Sequence, residues 1–213
     1  MLELGTKFLI SYFLGSIMGA IVIGKLRGGV DIREMGSGNA GGTNALRTQG
    51  AAFALGVIII DIGKGVLAAS VVPYLDIPFV ATDPDVSRVW LALCCAAAAV
   101  LGHVWPVYHG FRGGKGMATY IGTLLVLAPK LIVPMLIVFA VALVISGFVG
   151  LSTMTASASL PVTLAVTGGS IELIVFSTFM AAFIVYCHRS NIQRMRDGVE
   201  NRNERAMLFR RKG

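Results

Sequence analysis

Three polar stretches interrupt this chain, and each carries groups that hold anions. The first, GSGNAGGTNALRTQG from Gly36 to Gly50, sets five glycines around Ser37, Asn39, Thr43, Asn44 and Arg47. Glycine lets successive backbone N–H groups converge on a ligand. The short neutral side chains add hydrogen bonds, and the Arg47 guanidinium is a rigid fork matched to phosphate oxygens. The second stretch, GHVWPVYHGFRGGKGMAT from Gly102 to Thr119, sets Gly110, Gly113, Gly114 and Gly116 around Lys115. Glycine N–H groups and one ammonium ahead of a helix start suit a phosphate, which the helix dipole also favours. In the third, HRSNIQRMRDGVENR from His188 to Arg202, the i,i+3 spacing puts His188, Asn191 and Arg194 along one helical face.

Several chemistries are excluded. A P-loop needs glycine six residues before its lysine and Ser or Thr after it; those positions are His109 and Gly116. No histidine is followed five residues later by aspartate: Tyr108, Gly114 and Gln193 stand there. Cys94, Cys95 and Cys187 lack metal-ligand spacing, so neither a metal nor a cofactor is expected. His103, at the end of an apolar run, is the remaining candidate base. Asp61 and Lys64, three apart in another run, read as a self-neutralising ion pair.

The elements that position these groups are apolar. Of 213 residues, 55% are hydrophobic and 14% charged, against about a quarter charged in soluble domains. The mean hydropathy is +0.78. Residues 131–171 run 41 positions without a charge, enough for two spans of about 20 residues each. The pattern predicts an all-α integral membrane protein of about seven transmembrane helices, near 5–25, 51–74, 87–107, 115–128, 131–149, 152–167 and 171–187, the fourth and sixth short or re-entrant. Residues 1–213 read as one polytopic domain with a basic extension over 188–213. Fourteen of 18 Lys and Arg fall in the loops after the first and third helices and in the tail. That imbalance sets the N-terminus outside and the C-terminus and all three polar stretches in the cytoplasm. It accounts for the net charge of +7 without nucleic acid.

Taken together, the motifs resemble the PlsY family, bacterial membrane glycerol-3-phosphate acyltransferases that use acyl phosphate. The first pattern is met by Ser37, Gly38, Asn39, Gly41, Thr43, Asn44 and Arg47. The second is met by Gly102, His103, Pro106, Phe111, Gly113, Gly114, Lys115 and Gly116, and the third by His188, Arg189, Asn191, Ile192, Arg194, Gly198 and Glu200. Ala40, Gly42 and Met195 depart from the residues common there without removing a polar group.

The resemblance implies acyl transfer from acyl phosphate to the 1-hydroxyl of glycerol 3-phosphate, giving lysophosphatidic acid at a bacterial inner membrane. It implies Ser37, His103, Arg47 and Lys115 as catalytic residues. Arg47, Lys115, His188 and Asn191 would hold glycerol 3-phosphate. Ser37, Asn39, Thr43, Gly113, Gly114 and Gly116 would hold the acyl phosphate headgroup, and Asn44 and Glu200 would be structural. The proton acceptor stays open between His103 and the leaving phosphate. The rival expectation is a transporter or channel for glycerol phosphate or a similar anion; a basic membrane-bound scaffold is a third.

Overall fold

The structure is a computed structural model that describes residues 1–208. Arg210, Arg211 and Lys212 of the expected basic extension lie outside the described residues. Helices account for nearly all regular structure: α1 (Leu2–Gly15), α2 (Gly19–Leu26), α3 (Gly42–Gln49), α4 (Ala51–Ser70), α5 (Arg88–Val104), α6 (Met117–Leu127), α7 (Ile132–Ser146), α8 (Val149–Val166), α9 (Ile171–Cys187) and α10 (Arg189–Arg196). The chain forms two compact units, Met1–Leu127 and the part from Ala128 onward.

All seven expected apolar segments are helical. By length and composition four helical stretches can cross a bilayer: Ala51–Tyr74, Arg88–His109, Pro129–Ser146 and Val149–Val166. Two bent pairs, α1 with α2 at 40° and α9 with α10 at 51°, bring the number to six. The remaining segment, α6, is the fourth of those expected; it has 11 residues and is short of a span, as its sequence predicts, whereas the sixth, expected to be short as well, forms α8 and is long enough to cross. The chain is thus an all-α, multi-pass membrane protein. The first expected helix, 5–25, is broken at Ser16–Met18.

In the first unit α1 packs on α5, α4 packs on α6, and α3 lies against α4. Lipid-like surroundings offer helices no hydrophobic reason to associate, so close backbone approach through small residues does that work. At the α4–α6 crossing, a Cβ on Gly65 would overlap the Thr119 carbonyl and one on Gly122 the Ile62 carbonyl. At the end remote from the polar loops, Glu3 accepts from Lys7 Nζ at 2.8 Å, from Arg88 at 2.6 and 2.9 Å and from the Asp83 N–H at 2.8 Å. The Met1 amino group also pairs with Asp83. This clasp ties the starts of α1 and α5 to the α4–α5 connection.

In the second unit α8 packs between α7 and α9, and α10 lies against α8 and α9. The α8 hydroxyls do not bridge helices. Ser152, Thr153, Thr155, Ser157 and Ser159 each donate to a carbonyl three or four residues back in α8 or at its start. Their small volume, with each polar group satisfied locally, keeps α8 compatible with an apolar setting. Past α10 the tail folds back on the end of α7: Arg202 Nε donates to the Ser146 carbonyl and the Asn203 N–H to that of Gly147.

Candidate functional site

The first polar stretch is held by one side chain. Asn44, in the first turn of α3, is buried. Its Nδ2 donates to the carbonyls of Ile32, Met35 and Asn39 at 2.9–3.0 Å, and its Oδ1 accepts from the Ser37 N–H at 3.0 Å. One amide therefore pins four backbone groups of residues 32–39. Gly36 turns with φ of +58° directly over that amide, where a Cβ would overlap Oδ1. Asn39 Oδ1 accepts from the Gly41 N–H at 2.8 Å just ahead of α3. The sequence reads residues 26–50 as loop, whereas 42–49 form α3. Gly-Thr-Asn is a poor helix former, so this short helix depends on Asn44 and on packing against α4. Its first turn presents N–H groups that no helical carbonyl can reach. Ser37, Thr43 and Arg47 are exposed around it.

The second stretch leaves α5 through Pro106 and a short 3-10 turn, Val107–His109. Its glycines meet His103 directly. The Gly114 N–H donates to the His103 carbonyl at 3.1 Å. A Cβ on Gly113 would overlap that carbonyl, and one on Gly114 would overlap His103 Nε2. Gly116, at φ of +88°, turns the chain into α6, and Lys115 between them is half-buried.

Arg33, which the sequence offers only as one basic residue among many, joins the two stretches. Its Nη1 donates to the carbonyls of His109 and Arg112 at 3.2 and 3.1 Å, while Nε and Nη2 grip Asp31 at 2.7–3.1 Å. The Arg33 guanidinium in turn holds the Asp31 carboxyl below the usual carboxylate range. The Asp31 side chain also accepts from the Arg33 N–H at 2.9 Å, closing the turn that aims the guanidinium. The Arg47-bearing and Lys115-bearing segments are thereby tied together at their bases.

Beneath them lies a buried charged cluster. Lys64 Nζ donates to Asp61 Oδ1 at 2.8 Å and to the Ile17 carbonyl at 2.7 Å, and it lies 2.9 Å from His103 Nδ1. Asp61 Oδ1 also accepts from the Gly19 N–H at 3.2 Å. The expected Asp61–Lys64 ion pair is present, and its purpose is visible. The break between α1 and α2 strands backbone groups where water is scarce, and such groups must be satisfied internally. The carboxylate meets the start of α2 and the ammonium the end of α1, in the sense the helix dipoles favour.

The third stretch belongs to the second unit. His188 Nδ1 donates to the Ile184 carbonyl at 2.7 Å. Asn191 Nδ2 donates to Glu200 Oε1 at 2.7 Å, and Arg194 Nε to Glu200 Oε2 at 2.6 Å. Gly150 makes room for Asn191, since a Cβ there would lie 2.9 Å from Nδ2. Glu200 thus orients both Asn191 and Arg194 from nine and six residues away in sequence.

These features define a polytopic membrane protein whose connections, built from backbone donors, cations and neutral amides, are equipped to hold anions. A family model described as "Glycerol-3-phosphate acyltransferase" matches residues 6–198. The chain is 38% identical to a glycerol-3-phosphate acyltransferase of Chlorobaculum tepidum, the alignment covering 91% of this chain and 93% of that one. It is 37% identical to one of Chlorobium luteolum over the same shares. It also resembles a crystal structure of PlsY, an integral membrane glycerol 3-phosphate acyltransferase, in its glycerol 3-phosphate form. That likeness has a TM-score of 0.78 at 32% identity, covering 93% of this chain and 94% of that one. The corresponding lysophosphatidic acid form gives 0.77. The chain belongs to the glycerol-3-phosphate acyltransferase family. It is an acyltransferase of the membrane, and the transporter reading is set aside.

Proposed function

We propose that this protein transfers a fatty acyl group from acyl phosphate to the 1-hydroxyl of glycerol 3-phosphate. The hydroxyl oxygen forms an ester bond with the acyl carbon, and the bond from that carbon to the phosphate oxygen breaks. The hydroxyl proton leaves on the released phosphate, and the products are lysophosphatidic acid and inorganic phosphate. The donor is a mixed anhydride and already activated, so the protein's task is alignment of two anions; favourable alignment supplies about 7–11 kcal/mol. Arg47 and Lys115 offset the repulsion between the phosphates and bind glycerol 3-phosphate. Ser37, Asn39, Thr43 and the Gly113, Gly114 and Gly116 backbone receive the acyl phosphate headgroup. His188 and Asn191 are further glycerol 3-phosphate ligands, with Asn44 and Glu200 in structural roles.

The observation that carries this reading is the double hold of Arg33 on the second loop, which ties the Arg47 and Lys115 segments within one unit. Purified protein given acyl phosphate and glycerol 3-phosphate is expected to form lysophosphatidic acid, detected by mass spectrometry, with one phosphate released per ester formed. Product from acyl-CoA but not from acyl phosphate would overturn the choice of donor. Silent Arg47→Ala and Lys115→Ala variants would overturn the assignment of residues.

The charge distribution supports a bacterial plasma-membrane location with the N-terminus outside and the polar loops and C-terminus cytoplasmic. Cysteines introduced at Thr82 and Thr48 in a cysteine-free background are expected to react with an impermeant maleimide from outside and only after lysis, respectively. The opposite pattern would invert the topology.

A further inference from the structure

The buried Asp61–Lys64–His103 cluster carries information about His103 that its position in the sequence does not. An ammonium has three protons, and Lys64 has three acceptors within 2.7–2.9 Å: Asp61 Oδ1, the Ile17 carbonyl and His103 Nδ1. Two of these accept only. Were Nδ1 protonated, its N–H would point at the ammonium from 2.9 Å while its own acceptor, Asp61 Oδ1, stood farther away at 3.4 Å. Nδ1 is therefore the acceptor, and a neutral imidazole with an accepting Nδ1 carries its proton on Nε2. The Nε2 end is the part of the ring nearest to Gly114, whose own N–H is bonded to the His103 carbonyl. Both the ring and the backbone of His103 thus bear on the glycine turn that holds Lys115.

We infer that Asp61 and Lys64 lock His103 as its Nε2–H tautomer, making His103 a positioning residue for the Gly113–Gly116 turn and withdrawing it as general base. The lone pair that a base needs is spent on Lys64, and the other nitrogen already holds a proton. The cluster has a second consequence. The same ammonium caps the α1–α2 break through the Ile17 carbonyl. One buried group therefore couples the broken helix to the turn bearing Lys115. The role given to that turn rests on the acyl phosphate reading above; the tautomer does not.

Two measurements separate the two claims. Ring-15N-histidine protein, with its three histidines assigned by single substitution, is expected at pH 7 to show His103 protonated at Nε2 and unprotonated at Nδ1. An Nδ1–H or doubly protonated ring would overturn the lock, whether or not the preparation turns over acyl phosphate. For function, His103→Asn keeps an oxygen near the position of Nδ1 for Lys64 to bond but has no titratable nitrogen. It is expected to lower kcat by less than tenfold, whereas His103→Leu, which offers Lys64 nothing, falls further and raises the KM for acyl phosphate. Loss of a general base costs about 10²–10⁴-fold. A loss of that size in folded His103→Asn, with both KM values and the melting temperature unchanged, would return His103 to the role of base.

Discussion

Replacing Asn44 by leucine tests whether one buried amide holds the first polar loop. The change keeps the branching of the asparagine side chain at Cγ, with somewhat more bulk, but leaves three carbonyls and the Ser37 N–H without their partner. A buried unsatisfied group costs about 1–3 kcal/mol, and a partly exposed one less because water replaces the lost bond. Only the bond to Ile32 is fully buried, so the total is about 3–5 kcal/mol, most of it borne locally by residues 32–39. At 1.36 kcal/mol per decade, kcat/KM falls by at most about 10²- to 10⁴-fold if the loop must be reordered in every turnover. Phosphate release from acyl phosphate measures the rate, and hydrogen exchange over residues 32–49 measures the loop. Exchange there is expected to quicken while the α4–α6 core stays protected. Asn44→Asp sharpens the test. Its carboxylate still accepts from Ser37 but confronts three carbonyls, which raises its pKa above the usual value of about 3.9. Protonation restores one donor, so relative activity rises as pH falls toward that pKa. Both variants within threefold of the parent, with an equally protected loop, would refute the idea that Asn44 organises it.

Arg33→Lys removes the fork that spans Asp31 and two carbonyls. We expect a fall in kcat/KM of about tenfold, from loss of one charge-assisted hydrogen bond beyond those an ammonium can keep, with little change in melting temperature. Because Asp31 has a lowered folded pKa, the clasp contributes fully above about pH 4 and is lost as pH falls through the lowered value. The Asp31→Asn variant should therefore lose its difference from the parent only in strong acid, read as melting temperature against pH. Gly122→Val forces a branched side chain against the Ile62 carbonyl; overpacking costs about 1–3 kcal/mol, so thermal stability should drop before any substrate is added. Asn191→Asp sets a carboxylate against Glu200 at the present 2.7 Å contact. It should lower the melting temperature at pH 7, and Glu200→Gln, whose amide can donate to the new aspartate, should restore most of the loss in the double variant.

What the sequence discloses depends on where an interaction finds its partner. The apolar runs are legible because lipid imposes length and composition on each span separately. The break at Ser16–Met18 is invisible because residues 8–24 are uncharged throughout. Its polar partners, Asp61 and Lys64, are supplied from α4, more than 40 residues away. The i,i+3 spacing discloses that these two can pair, since helix geometry alone settles that, but not that they cap another helix or hold His103. Arg33 is harder still: two of its partners are backbone carbonyls, which every residue carries and no pattern marks. Asn44 and Glu200 show the intermediate case, side chains whose neighbours lie within a dozen residues and whose motif spacing already marks them. The glycines of the second stretch are the instructive ones. Spacing alone reads Gly113 and Gly114 as backbone for an anion, yet each is also small because His103 occupies the space a side chain would need. One residue type answers two demands there, a ligand's approach and a histidine's, and only coordinates separate them.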